Sequence, residues 1–182
     1  MNYFLIAAAL MAGFLTKFVD LEEHGLKIKR LVIYLAGALY GFVIAYAMKL
    51  EPSVAPLVLG TILGVILTGK IDSKGHLSGI TSFILFTAIW GIPKANFLYL
   101  LILLLTAIVE EFVNTWMLDN GKIKNKTLRA FLEVRPLLEI VAFSLSFLTG
   151  LWPIWHMLFF FDLAYNLTNK SFYAVSRREV SG

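Results

Sequence analysis

Long apolar runs separated by short polar stretches make up nearly the whole chain. Seven such runs cover residues 2–19, 30–48, 54–71, 77–93, 95–116, 136–150 and 152–168. About 17 or more apolar residues are enough for a helix to cross a bilayer. The last two runs are shorter and are separated only by a tight turn at residues 150–153. The pattern predicts an all-α, polytopic integral membrane protein with seven transmembrane helices.

Composition supports this class. Hydrophobic residues make up 59% of the chain and charged residues only 15%, whereas a soluble domain has about 25% charged residues. No segment remains for a soluble domain, so we expect a single membrane-embedded domain over residues 1–182, with a short basic cytoplasmic tail from about residue 169. The chain has no cysteine, which excludes disulfides, thiolate catalysis and cysteine-ligated metals.

The basic residues predict the orientation in the membrane. Fourteen of the 16 Lys and Arg residues, Lys17 among them, lie in or beside the segments that follow the first, third, fifth and seventh runs, and the opposite loops hold only Lys49 and Lys94. Cytoplasmic loops carry the excess of Lys and Arg. We therefore expect a multi-pass protein of the cell membrane with its N-terminus outside and its C-terminus in the cytoplasm.

A polar pattern recurs at the ends of the odd-numbered runs. An acid is followed four residues later by His or Asn in four places, and in three of them a Thr stands four residues before the acid: Thr16, Asp20 and His24; Thr68, Asp72 and His76; Thr106, Glu110 and Asn114; Asp162 and Asn166. Random placement would give about 0.7 such acid pairs. Residues four apart lie on one face of a helix. The copies therefore favour a shared functional site, although polar residues also collect at helix ends simply to cap and solvate them.

The spacing of the copies predicts where they meet. All four follow odd-numbered runs, so all four would share the cytoplasmic face, and we expect at least three of the pairs to face one cavity. Asp20 and Asp72 are 52 residues apart, and so are Glu110 and Asp162. A tandem repeat of helical hairpins would produce this interval. In the second copy, Ser73 and Gly75 could break the helix, and the shared-face argument would then fail there.

The residue types of the pattern suggest a metal site. Carboxylates suit Mg²⁺ or Mn²⁺, and imidazole nitrogens move the preference toward transition metals. We expect a divalent cation, with Mg²⁺ or Mn²⁺ favoured over Zn²⁺, bound by members of the four pairs: Asp20, His24, Asp72, His76, Glu110, Asn114, Asp162 and Asn166. Glu110, Glu111 and Asp162 are the candidate catalytic acids because they lie deepest in apolar sequence, where a charge costs about 2.5–3.5 kcal/mol.

Other polar and small residues have simpler interpretations. The Trp and Tyr residues, together with His156, are expected to anchor the protein at the membrane interfaces. Glu139 could pair with Arg135, four residues earlier. Gly37 with Gly41, and Gly60 with Gly64, have the small-xxx-small spacing that permits close helix packing.

Three functional hypotheses follow. The first is a metal-dependent enzyme acting on a lipid or prenyl phosphate head group at the cytoplasmic face. The second is a cation or proton-coupled transporter, and the third is a scaffold or accessory subunit. The nearly apolar outward halves of the predicted helices favour a one-sided site and hence the enzyme. Membrane lipids are the expected partners, a lipid phosphate the expected substrate, and no nucleic-acid partner is expected.

Reporter fusions at Glu51 and at the C-terminus should lie in opposite compartments, because the distribution of basic residues places the first outside and the second inside. Paired phosphatase and fluorescent-protein fusions at both positions measure this. The same compartment for both sites would remove the argument that the four pairs share one face.

Overall fold

Apolar runs bounded by glycine, proline and capping residues fold into helices along this chain. The computed structural model describes residues 2–23, 28–69, 71, 73–114, 125 and 136–180. Within these ranges every regular element is helical and no strand occurs, so the predicted all-α class is confirmed. The α-helices are α1 (Tyr3–Glu23), α2 (Arg30–Leu50), α3 (Ala55–Leu67, preceded by the 3₁₀ turn Pro52–Val54), α4 (Lys74–Trp90), α5 (Phe97–Val113), α6 (Pro136–Thr149) and α7 (Trp152–Val180).

Each of the seven predicted apolar segments overlaps one of these helices. Two segments, Tyr3–Leu21 in α1 and Arg30–Leu50 in α2, are long and apolar enough to cross a membrane. Helices α3 and α6 are also apolar but shorter. Helix α7 is longer than its apolar run predicted, because it continues through polar residues as far as Val180.

Local chemistry explains where several helices begin and end. The Ser73 side chain accepts the backbone N–H of the third residue of α4, and the Asn96 side chain accepts two N–H groups from the first turn of α5. Such caps satisfy donors that have no partner within the helix. Gly69, Gly91 and Gly150 have φ values of 69°, 84° and 75°, and glycine adopts this conformation without steric cost. The chain therefore leaves α3, α4 and α6 at glycines.

The backbone forms two compact units. The first consists of Met1–Leu50, Asp72–Ile92 and His156–Gly182, and the second of Glu51–Ile71 and Pro93–Trp155. The division falls inside α7, so this helix contributes its first residues to the second unit and the rest to the first.

Glycines hold α2 and α4 in direct backbone contact in the first unit. A Cβ added to Gly37 would overlap the carbonyl oxygen of Gly75, and one added to Gly41 would overlap that of Gly79. Contact at this range lets polar side chains reach the neighbouring backbone, and the Ser82 hydroxyl donates to the carbonyl of Ala38 in α2 at 2.7 Å. Small residues at matched spacing permit such approach, so the predicted close packing at the first glycine pair is confirmed.

Helices α3 and α5 pack together in the second unit, again at glycines. A Cβ on Gly60 would lie 3.0 Å from the backbone nitrogen of Leu104, and one on Gly64 would lie 2.9 Å from the Cβ of Ala107. Both distances are shorter than an ordinary van der Waals contact of about 3.5–4.0 Å. The second predicted small-xxx-small spacing therefore also lies at a helix contact.

The substitution Gly41→Leu should destabilise the protein by about 1–3 kcal/mol or more, because the new side chain must displace the backbone of α4 rather than a flexible side chain. The measurement is the free energy of unfolding in detergent. Ala88→Leu is the matched control, since Ala88 is an exposed residue of α4 where the same side chain meets no packed neighbour. Equal stability of the two variants would contradict the contact.

Candidate functional site

The carboxylate of Asp20 is the centre of a polar cluster in the first unit. Asp20 lies in the last turn of α1, where its Oδ1 is 2.5 Å from Nε2 of His76. Its other oxygen, Oδ2, accepts a hydrogen bond from the hydroxyl of Tyr165 in α7. Hydrogen bonds to an ionised carboxylate are shorter and about twice as strong as those between neutral groups. Asp20 therefore links three helices at one point.

His76 is held through both of its ring nitrogens. It lies in the first turn of α4, and its Nδ1 is 3.1 Å from the hydroxyl of Tyr40 in α2. That hydroxyl is also 3.3 Å from the backbone carbonyl oxygen of His76. Because a carboxylate is only an acceptor, we assign the proton between His76 and Asp20 to Nε2. The imidazole is therefore fixed from two sides.

Lys17 supplies the positive charge of the cluster. Its Nζ donates to the Tyr165 hydroxyl at 3.4 Å and lies 3.7 Å from Oδ2 of Asp20. The same ammonium is 4.8 Å from the centre of the Tyr165 ring, which is within the range of a cation–π contact. A buried charge is tolerated when it is paired and hydrogen-bonded, and Lys17 is buried. Its ion pair with Asp20 meets that requirement.

The Asp20 cluster consists of five residues: Lys17, Asp20, Tyr40, His76 and Tyr165. They join α1, α2, α4 and α7 by an unbroken chain of polar contacts. The side chains of Asp20 and His76 each retain 17% of their exposure, so the centre of the cluster is partly open. A carboxylate and an imidazole in direct contact can exchange a proton or bind a cation.

Two members of the predicted site are brought together in an unexpected combination. The pattern pairs an acid with the His four residues later, but the structure pairs Asp20 of the first copy with His76 of the second. His24 and Asp72 lie outside the described residues. The contact between Asp20 and His76 joins positions 56 residues apart, a separation that helical spacing within one copy cannot predict.

The predicted shared face in the second copy is wrong. Helix α3 ends at Leu67, Gly69 leaves the helix with a positive φ, and His76 belongs to the next helix, α4. Thr68 and His76 are therefore not on one helix. The Thr68 hydroxyl instead donates to the carbonyl of Gly64 at 2.9 Å, as does that of Thr106 to Ile102 at 2.8 Å. The upstream Thr of these copies thus bonds to its own helix.

Glu110, a predicted catalytic and metal-binding acid, acts as a helix cap in the second unit. Its Oε1 accepts the backbone N–H of Leu137 at 2.8 Å and that of Leu138 at 3.4 Å. These are the second and third residues of α6, whose N–H groups have no partner within the helix. A carboxylate there also complements the positive end of the helix dipole. The contact gives buried Glu110 a structural reason to lie in apolar surroundings.

The other predicted site residues that the structure describes lie on α5 and α7. Glu111 and Asn114 are buried at the end of α5. Asp162 and Asn166 are partly buried, and they lie in the interior of α7 rather than at its end, so the predicted helix-end position of the fourth copy is wrong. Among the described residues, no three His, Asp or Glu side chains come close enough together to hold a metal ion.

Sequence reasoning missed three members of the cluster. Lys17 contributes only to the count of cytoplasmic basic residues, yet it lies in α1, and its spacing of three residues from Asp20 is the signal for an ion pair. Tyr40 and Tyr165 were interpreted as interface anchors. No spacing within the sequence connects either tyrosine to Asp20 or His76.

Glu139 of α6 has a partner that the sequence did not indicate. Its carboxylate accepts a hydrogen bond from the indole N–H of Trp155 at 2.7 Å, while its predicted partner Arg135 lies outside the described residues.

Comparison of the chain with protein-family models, with curated proteins and with solved structures found no match. The Asp20 cluster is therefore the feature of this chain that bears most directly on its function.

Asp20→Asn and His76→Gln should be strongly non-additive in their effect on stability. Each variant alone removes the same charge-assisted contact, so the interaction free energy in a double-mutant cycle should be about 1–3 kcal/mol. The measurement is unfolding in detergent of the two single variants and the double variant. Asp20→Asn combined with Thr81→Ala is the control, because Thr81 is exposed and bonds within its own helix. Additive effects in the first cycle would mean that the contact contributes nothing.

Proposed function

We propose that this chain is an integral membrane enzyme of seven helices that acts on a phosphate-bearing lipid or prenyl head group at the cytoplasmic face. The contact between Asp20 and His76 carries the proposal. It places an imidazole against a carboxylate at a partly open position, in a chain whose other buried residues are mostly apolar. That arrangement is suited to general acid–base chemistry.

The surface supports the membrane part of the proposal. Large apolar side chains are exposed on several helices, among them Leu31 and Leu35 of α2 and Leu148 of α6, at 67%, 61% and 80%. Soluble proteins rarely expose so much apolar surface, whereas lipid tails cover it without cost. The asymmetry of basic residues supports an outside N-terminus and a cytoplasmic C-terminus.

Each member of the central pair has a role in this proposal. The proton between Nε2 of His76 and Oδ1 of Asp20 is the one that is exchanged with the substrate, and Asp20 stabilises the charged form of the imidazole. Lys17 is ion-paired with Asp20 and so helps to keep the carboxylate in place beside His76. A head group at the membrane surface fits a polar cluster on helices that are otherwise apolar.

A divalent cation remains part of the proposal, with Mg²⁺ or Mn²⁺ favoured over Zn²⁺. Asp20 and His76 would hold it, and oxygens of water or of the substrate phosphate would have to complete its ligand set. When bound, the cation would polarise the phosphate as a Lewis acid. Glu110 is not among the proposed ligands, because its hydrogen bonds to the first turn of α6 already explain why this carboxylate is buried.

A proton-coupled transporter is the second candidate. The observation that favours it is the unbroken chain of polar contacts through the Asp20 cluster, which crosses four helices and holds Lys, Asp, Tyr and His side chains. Groups of this kind form proton relays in transporters. The scaffold hypothesis would need the cluster only to hold α1, α2, α4 and α7 together.

Asp20→Asn and His76→Gln should each lower turnover of a lipid phosphate about 10²–10⁴-fold, the usual contribution of general acid–base catalysis. The purified protein in nanodiscs is offered phosphatidic acid and a prenyl diphosphate with Mg²⁺ or Mn²⁺, and released phosphate is measured. Glu110→Gln is the control, and it should lose stability but keep its turnover.

Other outcomes separate the three hypotheses. Proton flux into proteoliposomes that His76→Gln abolishes, without turnover of either lipid, would favour the transporter. Loss of stability as the sole effect of both variants would favour the scaffold.

A further inference from the structure

The Tyr40 side chain occupies space that a glycine leaves open. A Cβ added to Gly79 in α4 would overlap Cζ and the hydroxyl of Tyr40, and it would lie 2.5 Å from Cε2. Tyr40 is 7% exposed, so its ring is fixed between α2 and α4. The missing side chain of Gly79 therefore lets the phenol ring cross the backbone of α4 and reach His76.

The Tyr40 hydroxyl contacts two different atoms of His76. It lies 3.1 Å from Nδ1 and 3.3 Å from the backbone carbonyl oxygen. The end torsion of a histidine side chain is broad and roughly two-fold, so with Asp20 as its only partner the ring could rotate and turn Nε2 away from the carboxylate. Contact with Nδ1 removes that freedom, and the orientation with Nε2 toward Asp20 is the one that satisfies both neighbours.

The two contacts also suit both forms of the imidazole. When Nε2 carries the only ring proton, the Tyr40 hydroxyl donates to Nδ1. When Nδ1 carries a proton, Nδ1–H donates to the Tyr40 oxygen, and the Tyr40 hydroxyl turns to donate to the His76 carbonyl. A hydroxyl can donate one hydrogen bond and accept two, so a rotation of its O–H bond keeps every group paired in either form.

We propose that Tyr40 is a positioning residue that holds the His76 ring with Nε2 facing Asp20 and that pairs with Nδ1 whether or not Nδ1 carries a proton. Nδ1 therefore stays hydrogen-bonded if a cation takes the place of the proton on Nε2. Partners of this kind orient the ring of a metal-binding histidine. The proposal deepens the proposed function and rests on its assignment of Asp20 and His76 as the working pair.

Nitrogen NMR of ¹⁵N-histidine-labelled protein in detergent tests the proposal at one fixed pH. The His76 signals are assigned by their loss in His76→Gln. Without metal, the unmodified protein should show the Nε2–H form alone. Tyr40→Phe, which keeps the ring but lacks the hydroxyl, should show a mixture of both tautomers. Tyr46→Phe is the matched control, because Tyr46 lies in α2 within an aromatic cluster with Phe42 and Trp90, and it should leave the His76 signals unchanged.

Zn²⁺ is then added as a diamagnetic probe of cation binding. It should move the ring proton to Nδ1 in the unmodified protein, and its affinity should fall about 10–100-fold in Tyr40→Phe, the usual effect of removing such a partner. Gly79→Ala, which displaces the Tyr40 ring but keeps its hydroxyl, should resemble Tyr40→Phe in both measurements. Identical tautomer signals in Tyr40→Phe and the unmodified protein would overturn the proposal. If the tautomers differ but Zn²⁺ does not bind to the unmodified protein, the positioning role stands and the cation part of the proposed function fails.

Discussion

Backbone contact between α2 and α4 is the constraint on which the Asp20 cluster depends. A Cβ added to Gly37 or Gly41 would overlap the carbonyl oxygen of Gly75 or Gly79. Because the two backbones touch, a tyrosine of α2 can reach across α4, and serines of α4 can donate to carbonyls of α2. Larger residues at these positions would separate the helices, and the Tyr40 hydroxyl would no longer reach His76.

The helix contact also explains how a charged group is accommodated beside apolar residues. In the same unit, Val19 of α1 and Ile33 of α2 lie against Gly75, one residue before His76. Asp20 follows Val19 in the chain, and its carboxylate meets the imidazole where the apolar packing ends. Pairing among Lys17, Asp20 and His76 offsets the free-energy cost of desolvation, and the two tyrosines add hydrogen bonds to the same groups. The cluster is thus satisfied by its own members.

The repeated acid pattern has different structural roles in different copies. Asp20 is bonded to a histidine of another copy, whereas Glu110 accepts N–H groups at the start of α6. Both solutions supply donors to a buried or partly buried carboxylate, which is what an apolar environment requires. A similar sequence position therefore predicts the need for donors, although it does not predict which donors supply them.

The amino-acid sequence by itself determined the helical class, the approximate bounds of the helices and the positions of close helix packing. Those features follow from local composition, because apolar runs, capping residues and glycines act over a few residues along the chain. It also identified Asp20 and His76 as polar residues in need of an explanation. Their pairing, and the roles of Lys17, Tyr40 and Tyr165, were decided by the tertiary structure. These contacts join residues from different helices, up to 148 positions apart, and only the packing of α2 on α4 and the approach of α7 to α1 bring their side chains within hydrogen-bonding distance.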